Sequence, residues 1–233
     1  HITCGKSVKI ANTVKVIKEF SHIGGNSLST IEFDNNSQLA FVENSLFVGS
    51  VSLTSIDFGD NSQLRYIEGH KGVTGVFNNC ISLTNIDFGK NSKLVAIGDG
   101  TEHADDCGVF SNCISLKEIE LPYGITKLGS YIFSGCSSLT DINFEDCTKL
   151  DIIGSYAFEK CSSLRSIDLS KCTKIKRIDT GTFFDCTSLE DVRLPNSIEC
   201  IDNYAFENCS KLKSIKCYAE NVPITGTIFD DCP

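Results

Sequence analysis

Eight leucines at near-regular intervals constrain this chain more than any other feature of it. Leu28, Leu53, Leu83, Leu116, Leu139, Leu164, Leu189 and Leu212 are separated by 25, 30, 33, 23, 25, 25 and 23 residues. The pattern they open is Leu-x-x-Ile-x-Phe/Leu, as in Leu53-Thr54-Ser55-Ile56-Asp57-Phe58 and Leu164-Arg165-Ser166-Ile167-Asp168-Leu169. Alternating apolar and polar letters make each copy a short strand with one buried face. A coil of this size cannot bury its apolar edge alone, so its stability has to come from stacking on its neighbours.

A period of 20–29 residues carrying that strand is the signature of a leucine-rich-repeat solenoid. The expected fold is an α/β-class horseshoe dominated by β-structure. It has a parallel concave sheet, with loops, short strands or 3-10 turns on the convex side. Residues 1–27 read as an N-terminal cap or degenerate repeat, and 28–232 as eight repeats with the last acting as C-terminal cap, one domain overall. Eight rungs at the usual interstrand spacing stack to about 40 Å.

One repeat, 139–163, serves as template. Leu139, Ile142 and Phe144 point inward while Asp141 and Asn143 point outward. The chain turns through Glu145-Asp146-Cys147-Thr148, and Leu150 and Ile153 restart the apolar face. Gly154 permits a bend or a positive φ. Ala157 and Phe158 refill the core before Cys161 closes the rung. The 23-residue repeats shorten the turn with Pro122 and Pro195. The 30- and 33-residue repeats carry insertions, Glu68–Val76 and Gly98–Val109, at the same point of adjacent rungs, and these are expected to bulge side by side.

Thirteen cysteines would ordinarily suggest a secreted disulfide framework. Seven of them (Cys80, Cys113, Cys136, Cys161, Cys186, Cys209 and Cys232) instead share one repeat position, three residues after a Phe. Stacked side chains there hold Cβ atoms near ~4.8 Å apart, outside the ~3.5–4.5 Å a disulfide uses. Buried thiols acting as small apolar groups are the reading. Cys147 and Cys172 form a shorter column, and Cys4, Cys107, Cys200 and Cys217, outside both, are better placed for a bridge.

Leu116 to Pro122, Ile153 to Phe158, Cys161 to Leu164 and the copy at Asp202 to Cys209 together resemble the BspA-like, or Treponema-type, leucine-rich repeats. The resemblance covers roughly residues 28–232, and seven copies keep the Phe-x-x-Cys spacing. It implies a surface-exposed protein of a host-associated bacterium or protist parasite, with adhesion to host matrix proteins. The two insertions and the degenerate first rungs depart from the family pattern.

Charge and motif content narrow the function further. A net charge of −9 disfavours nucleic acid and anionic membrane as partners. No apolar run approaches the roughly 18 residues of a membrane span. No Gly-x-Ser-x-Gly elbow, Walker loop, His-Glu-x-x-His or Cys-x-x-Cys pair is present, so a non-catalytic role is expected, with no cofactor.

Two local signals remain. The outward strand position before the third anchor reads Glu32, Asp57, Asp87, Glu120, Asn143, Asp168, Arg193, Lys216, and the position two earlier includes Glu118, Asp141 and Asp191. In register these make an acidic ladder on the concave sheet that turns basic at the last rungs. It is either a solvated face that keeps the sheet soluble or a stripe for a basic or calcium-bridged protein partner. The insertions carry Glu68, His70 and Lys71, and Asp99, Glu102, His103, Asp105, Asp106 and Cys107. These are zinc-ligating types, but their spacing matches no closed motif, so no metal is assigned. They read as variable surface loops or a recognition knob with His70 and His103 as binding candidates. Tyr131, Tyr156 and Tyr204, each two residues before a repeat Phe, read as partly buried packing. The preferred function is adhesive protein binding at a cell surface or outside the cell. The alternatives are a structural surface-coat or spacer repeat and an intracellular interaction scaffold.

Overall fold

The computed structural model describes residues 6–15, 17, 27–42, 46–67, 75–98, 108–219, 222 and 226–233. In chain order the strands are β1 (Ser7–Ile10), β2 (Thr30–Phe33), β3 (Phe41–Val42), β4 (Ser55–Asp57), β5 (Tyr66–Ile67), β6 (Asn85–Asp87), β7 (Ala96–Ile97) and β8 (Glu118–Glu120). They continue as β9 (Lys127–Leu128), β10 (Asp141–Asn143), β11 (Ile152–Ile153), β12 (Ser166–Asp168), β13 (Arg177–Ile178), β14 (Asp191–Leu194), β15 (Cys200–Ile201) and β16 (Ser214–Cys217). All pairings are parallel, and the described residues contain no helix.

Each coil contributes to three faces. The concave sheet holds the longer strands in three hydrogen-bonded segments, β1-β2-β4-β6, β8-β10 and β12-β14-β16. A ribbon of two-residue strands forms the second face, in segments β11-β9-β7-β5-β3 and β13-β15. The third face has turns joined coil to coil by backbone bonds, such as Phe133 N–H to Ala157 O at 2.8 Å and Phe183 N–H to Ala205 O at 2.9 Å. The solenoid is therefore β-built on two faces and turn-built on the third. Its first strand is Ser7–Ile10, with Val8 and Ile10 buried, and lies ahead of the Val14–Ile17 alternation.

Register follows the repeat. Ile31 pairs with Ile56 and Ile56 with Ile86; Ile119 pairs with Ile142, and Ile167 with Val192. Leu53, Leu83, Leu116, Leu139, Leu164 and Leu189 are all fully buried at equivalent places. A phenylalanine column runs down the third face through Phe47, Phe77, Phe110, Phe133, Phe158, Phe183, Phe206 and Phe229, with successive ring centroids 5.2–5.9 Å apart. Near-parallel rings at that separation are offset-stacked, which adds to the area they bury.

The cysteine column is built onto this stack. Each thiol donates to the Phe carbonyl of the preceding coil: Cys113 to Phe77 at 3.4 Å, Cys136 to Phe110 at 3.2 Å, Cys161 to Phe133 at 3.3 Å and Cys209 to Phe183 at 3.2 Å. The same carbonyls also accept the backbone N–H of the cysteine three residues on, as in Cys136 N–H to Phe133 O at 3.0 Å. Both acceptor sites of a buried carbonyl are thus used, which removes a desolvation cost. Ser50 takes the equivalent place in the coil of Phe47 and is nearly as buried. Of the four cysteines outside the columns, Cys200 donates to Asp202 Oδ1 and Cys217 ends β16, while Cys4 and Cys107 lie outside the described residues.

Tight corners take left-handed residues in columns. Asn36, Asn61 and Asn91 have φ near +55 to +59° in the three Asn-Ser turns, where Asn tolerates that region best. Tyr131, Tyr156 and Tyr204 also have positive φ, at 53, 55 and 61°, which their bulk makes costly. Gly154 has an ordinary φ, and the close approach of the Ser130 and Gly129 backbone is what excludes a side chain there. Tyr131 and Tyr156 stack on each other at 5.1 Å and are half-buried, whereas Tyr204 is exposed.

Candidate functional site

The ladder residues converge on the concave face. Pairing puts Lys9 beside Glu32, Glu32 beside Asp57, Asp57 beside Asp87, Glu120 beside Asn143, Asp168 beside Arg193, and Arg193 beside Lys216. Two residues earlier on the strands, Glu118 pairs with Asp141, and Asp191 with Ser214. The spacing of neighbouring strands is about 4.8 Å, so like charges are held closer than water-exposed carboxylates choose to be.

Cations close the stripe at its ends. Lys9 Nζ lies 3.0 Å from Asp34 Oδ1 at the first coil. At the other end Arg193 Nη1 lies 3.2 Å from Asp168 Oδ2, and Ser214 Oγ donates to Asp191 Oδ1 at 2.7 Å. Burial alone would raise the Asp168 carboxyl, but hydrogen bonds from Ser170 and the charge of Arg193 outweigh it and hold the group below its ordinary value. Between the ends the face carries Glu32 and Asp57, which line a smaller concavity with Lys9, and Asp87, Glu118, Glu120 and Asp141, which border an open concavity of about 880 Å³ that runs from Asn85 to Lys171.

Four ladder residues also have a second, local task. Asp57 Oδ1 accepts Gly59 N–H at 2.8 Å, Asp87 Oδ1 accepts Gly89 N–H at 2.8 Å, Asn143 Oδ1 accepts Glu145 N–H at 2.9 Å and Asp168 Oδ1 accepts Ser170 N–H at 3.0 Å. These are Asx turns, in which a short side chain two residues back mimics a backbone turn and ends the strand. That explains why Asp and Asn occupy a strand position from which they are usually depleted. The turn needs an oxygen at this place and is indifferent to charge, as Asn143 shows. Asp-x-Gly at 57–59 and 87–89 was the visible signal for it.

The insertion candidates His70 and His103 lie outside the described residues, together with Glu68, Lys71, Asp99, Glu102, Asp105 and Asp106. The feet of the two insertions are described and adjacent. Ile67 pairs with Ile97 at the entries, and at the exits a Cβ on Gly75 would come within 2.3 Å of the Gly108 carbonyl oxygen. Among the described residues no three His, Cys, Asp or Glu side chains come together to hold a metal ion.

Parallel-stacked coils with one concave strand each define a leucine-rich-repeat solenoid. The model of the BspA type leucine rich repeat region matches residues 3–101 and 106–233, and the chain belongs to that family. Among solved structures, a leucine-rich repeat protein of T. pallidum is similar at 23% identity, over 86% of this chain and 72% of that one, with a TM-score of 0.53. A leucine rich cell surface protein from Faecalibacterium prausnitzii is 19% identical over 92% of this chain and 79% of that one, with a TM-score of 0.45. A leucine-rich repeat protein from Bacteroides ovatus is 23% identical over 88% and 65%, with a TM-score of 0.42. The first of these is a likeness of fold. No curated protein sequence matches significantly.

Proposed function

We propose that this chain is a non-catalytic protein-binding module that presents its acidic concave face to a basic surface of a partner protein. One observation carries the reading: six carboxylates line the concave face in two registered sets, Glu32, Asp57 and Asp87 in one and Glu118, Glu120 and Asp141 in the next, while cations gather at its ends. Interfaces of this kind take their steering and register from complementary potential. Family membership supports a surface-exposed, adhesive setting, with basic regions of host or matrix proteins as the partner class. A calcium bridge needs several oxygens on one ion, and the side chains do not converge that way among the described residues. Direct ionic contact is therefore the preferred form.

The Asx turns favour one competing reading, a structural spacer whose aspartates serve the turns alone. Binding to a panel of immobilised matrix proteins, with and without EDTA, separates the two. The adhesive reading expects binding to basic members that weakens steeply between 50 and 300 mM salt and survives chelation. Absence of binding across the panel would leave the spacer.

A further inference from the structure

Among the described residues the concave ladder is interrupted at two coil interfaces, β6/β8 and β10/β12, but at the first the ribbon stays paired through β7 and β9, and only the second loses both ladders. Between the coil at 139–163 and the coil at 164–188, β10 and β12 lie outside a common ladder on the concave face, and β11 and β13 do the same on the ribbon. The coil interfaces on either side keep both ladders: β8 with β10 and β9 with β11 before it, β12 with β14 and β13 with β15 after it. At the interruption the backbone bonds between the coils lie on the third face, with one thiol contact, Cys172 Sγ to Phe144 O at 3.9 Å, beside the concave strands. Tyr156 N–H donates to Thr180 O at 2.9 Å, Phe158 N–H to Thr182 O at 2.9 Å and Lys160 N–H to Phe184 O at 2.8 Å, over the stacked Phe158 and Phe183 rings.

Three further observations meet at the same seam. The acidic concavity straddles it, with Asp141 on one side and Asp168 on the other. A second concavity, about 550 Å³, opens on the ribbon between Ile152 and Arg177. Three ion pairs of the 164–188 coil reach forward: Asp168 to Arg193, Lys176 to Glu199 and Arg177 to Asp202. Charge thus ties this coil to the next one, while backbone, ring and thiol contacts join it to the coil before.

We infer that this interface is a hinge, with the Tyr156–Lys160 turn as its leaf, at which the acidic groove widens and narrows around its partner. The inference rests on the acidic face being the binding face. Bending about one continuous strip while two faces separate is an ordinary hinge geometry, and closure would bring Asp168 toward Asp141, a move that a cation between them favours.

Hydrogen–deuterium exchange on the whole chain tests it, first free and then with decalysine as the basic probe. In the free chain, peptides covering 164–168 and 174–178 should exchange at least about tenfold faster than those covering 189–194 and 199–201, while Tyr156, Phe158 and Lys160 stay as slow as Phe183. Decalysine should slow the fast set severalfold. Equal rates in the free chain would overturn the hinge. If decalysine protects 118–143 and leaves 164–178 unchanged, the coupling to binding fails while the acidic-face reading stands. If it protects no concave strand, the acidic-face reading fails, and the free-chain rates alone judge the hinge.

Discussion

Cys186 Sγ donates to the carbonyl oxygen of Phe158, one coil earlier, at 3.1 Å. Repeated down the solenoid, that contact makes the thiol column part of the coil-to-coil hydrogen bonding. Among the described residues the buried thiols are also the most strongly perturbed acids. Burial pushes Cys80, Cys136 and Cys209 up to about 12 and Cys113, Cys161 and Cys186 well above the ordinary thiol value. At pH 8 such a group is thiolate in roughly one molecule in ten thousand. Reaction with a disulfide reagent such as DTNB should therefore leave the six buried column thiols, Cys80 to Cys209, silent in the native chain and reveal them in denaturant, with the half-buried Cys232 apart from them. Fast native labelling of Cys136 or Cys161 would contradict the burial.

The same shift sets a pH dependence. A thiol whose folded pKa is raised holds its proton longer in the folded chain than in the unfolded one. Its contribution is complete below pH ~8.5, the unfolded thiol value, and is lost as pH rises toward about 12, the folded value of Cys136. With several such groups, the urea midpoint should be flat from pH 6 to 8 and fall steeply from pH 9 to 11. A flat profile through pH 11 would contradict it.

Phe158 touches more aromatic neighbours than any end-of-column ring: Phe133 at 5.7 Å, Phe183 at 5.4 Å and Phe144 edge-on at 6.4 Å. Truncation leaves a cavity that neighbours on two coils cannot close, so Phe158→Ala should cost about 3–5 kcal/mol. Phe229→Ala, at a ring 40% exposed, should cost under about half of that. Urea denaturation of both variants gives the comparison, and equal losses would count against a continuous stacked column.

Two glycines separate space from conformation. A Cβ on Gly108 would lie 1.7 Å from the Tyr131 carbonyl oxygen, whereas Gly49, at φ +66°, has nothing within 4 Å. Gly49→Ala should cost about 1 kcal/mol for the left-handed backbone alone. Gly108→Ala must displace the adjacent coil and should cost several times more. Thermal melts of the pair decide it, and a milder Gly108 variant would show that the adjacent coils pack less closely there.

The stacking was legible in the letters because it depends on period alone. Leu53, Leu83 and Leu116 had to be equivalent once their spacing was seen, and all three are fully buried. The column positions of Asp57, Asp87 and Asp168 were legible for the same reason. Their turn role was not set by the period, which does not say where a strand ends; only Asp-x-Gly at 57–59 and 87–89 marked it, and Asp168 lacks even that glycine. Positive φ at Tyr131, Tyr156 and Tyr204 was hidden as well, since propensity argues against a bulky residue there and the stacked coils override it. The interruption between Asn143 and Asp168 was invisible: its two coils are both 25 residues long and nearly identical in pattern.

The Asx geometry supplies the decisive measurement of the acidic-face reading. An asparagine keeps the oxygen that accepts the turn N–H and removes only the charge, as Asn143 does naturally. A variant combining Asp57→Asn, Asp87→Asn, Glu118→Gln, Glu120→Gln and Asp141→Asn should melt within about 3 °C of the parent, because exposed charges contribute little to stability. Its affinity for decalysine, measured by calorimetry at 50 mM salt, should fall at least about fiftyfold. Unchanged affinity in a folded variant would contradict the acidic stripe as the binding surface.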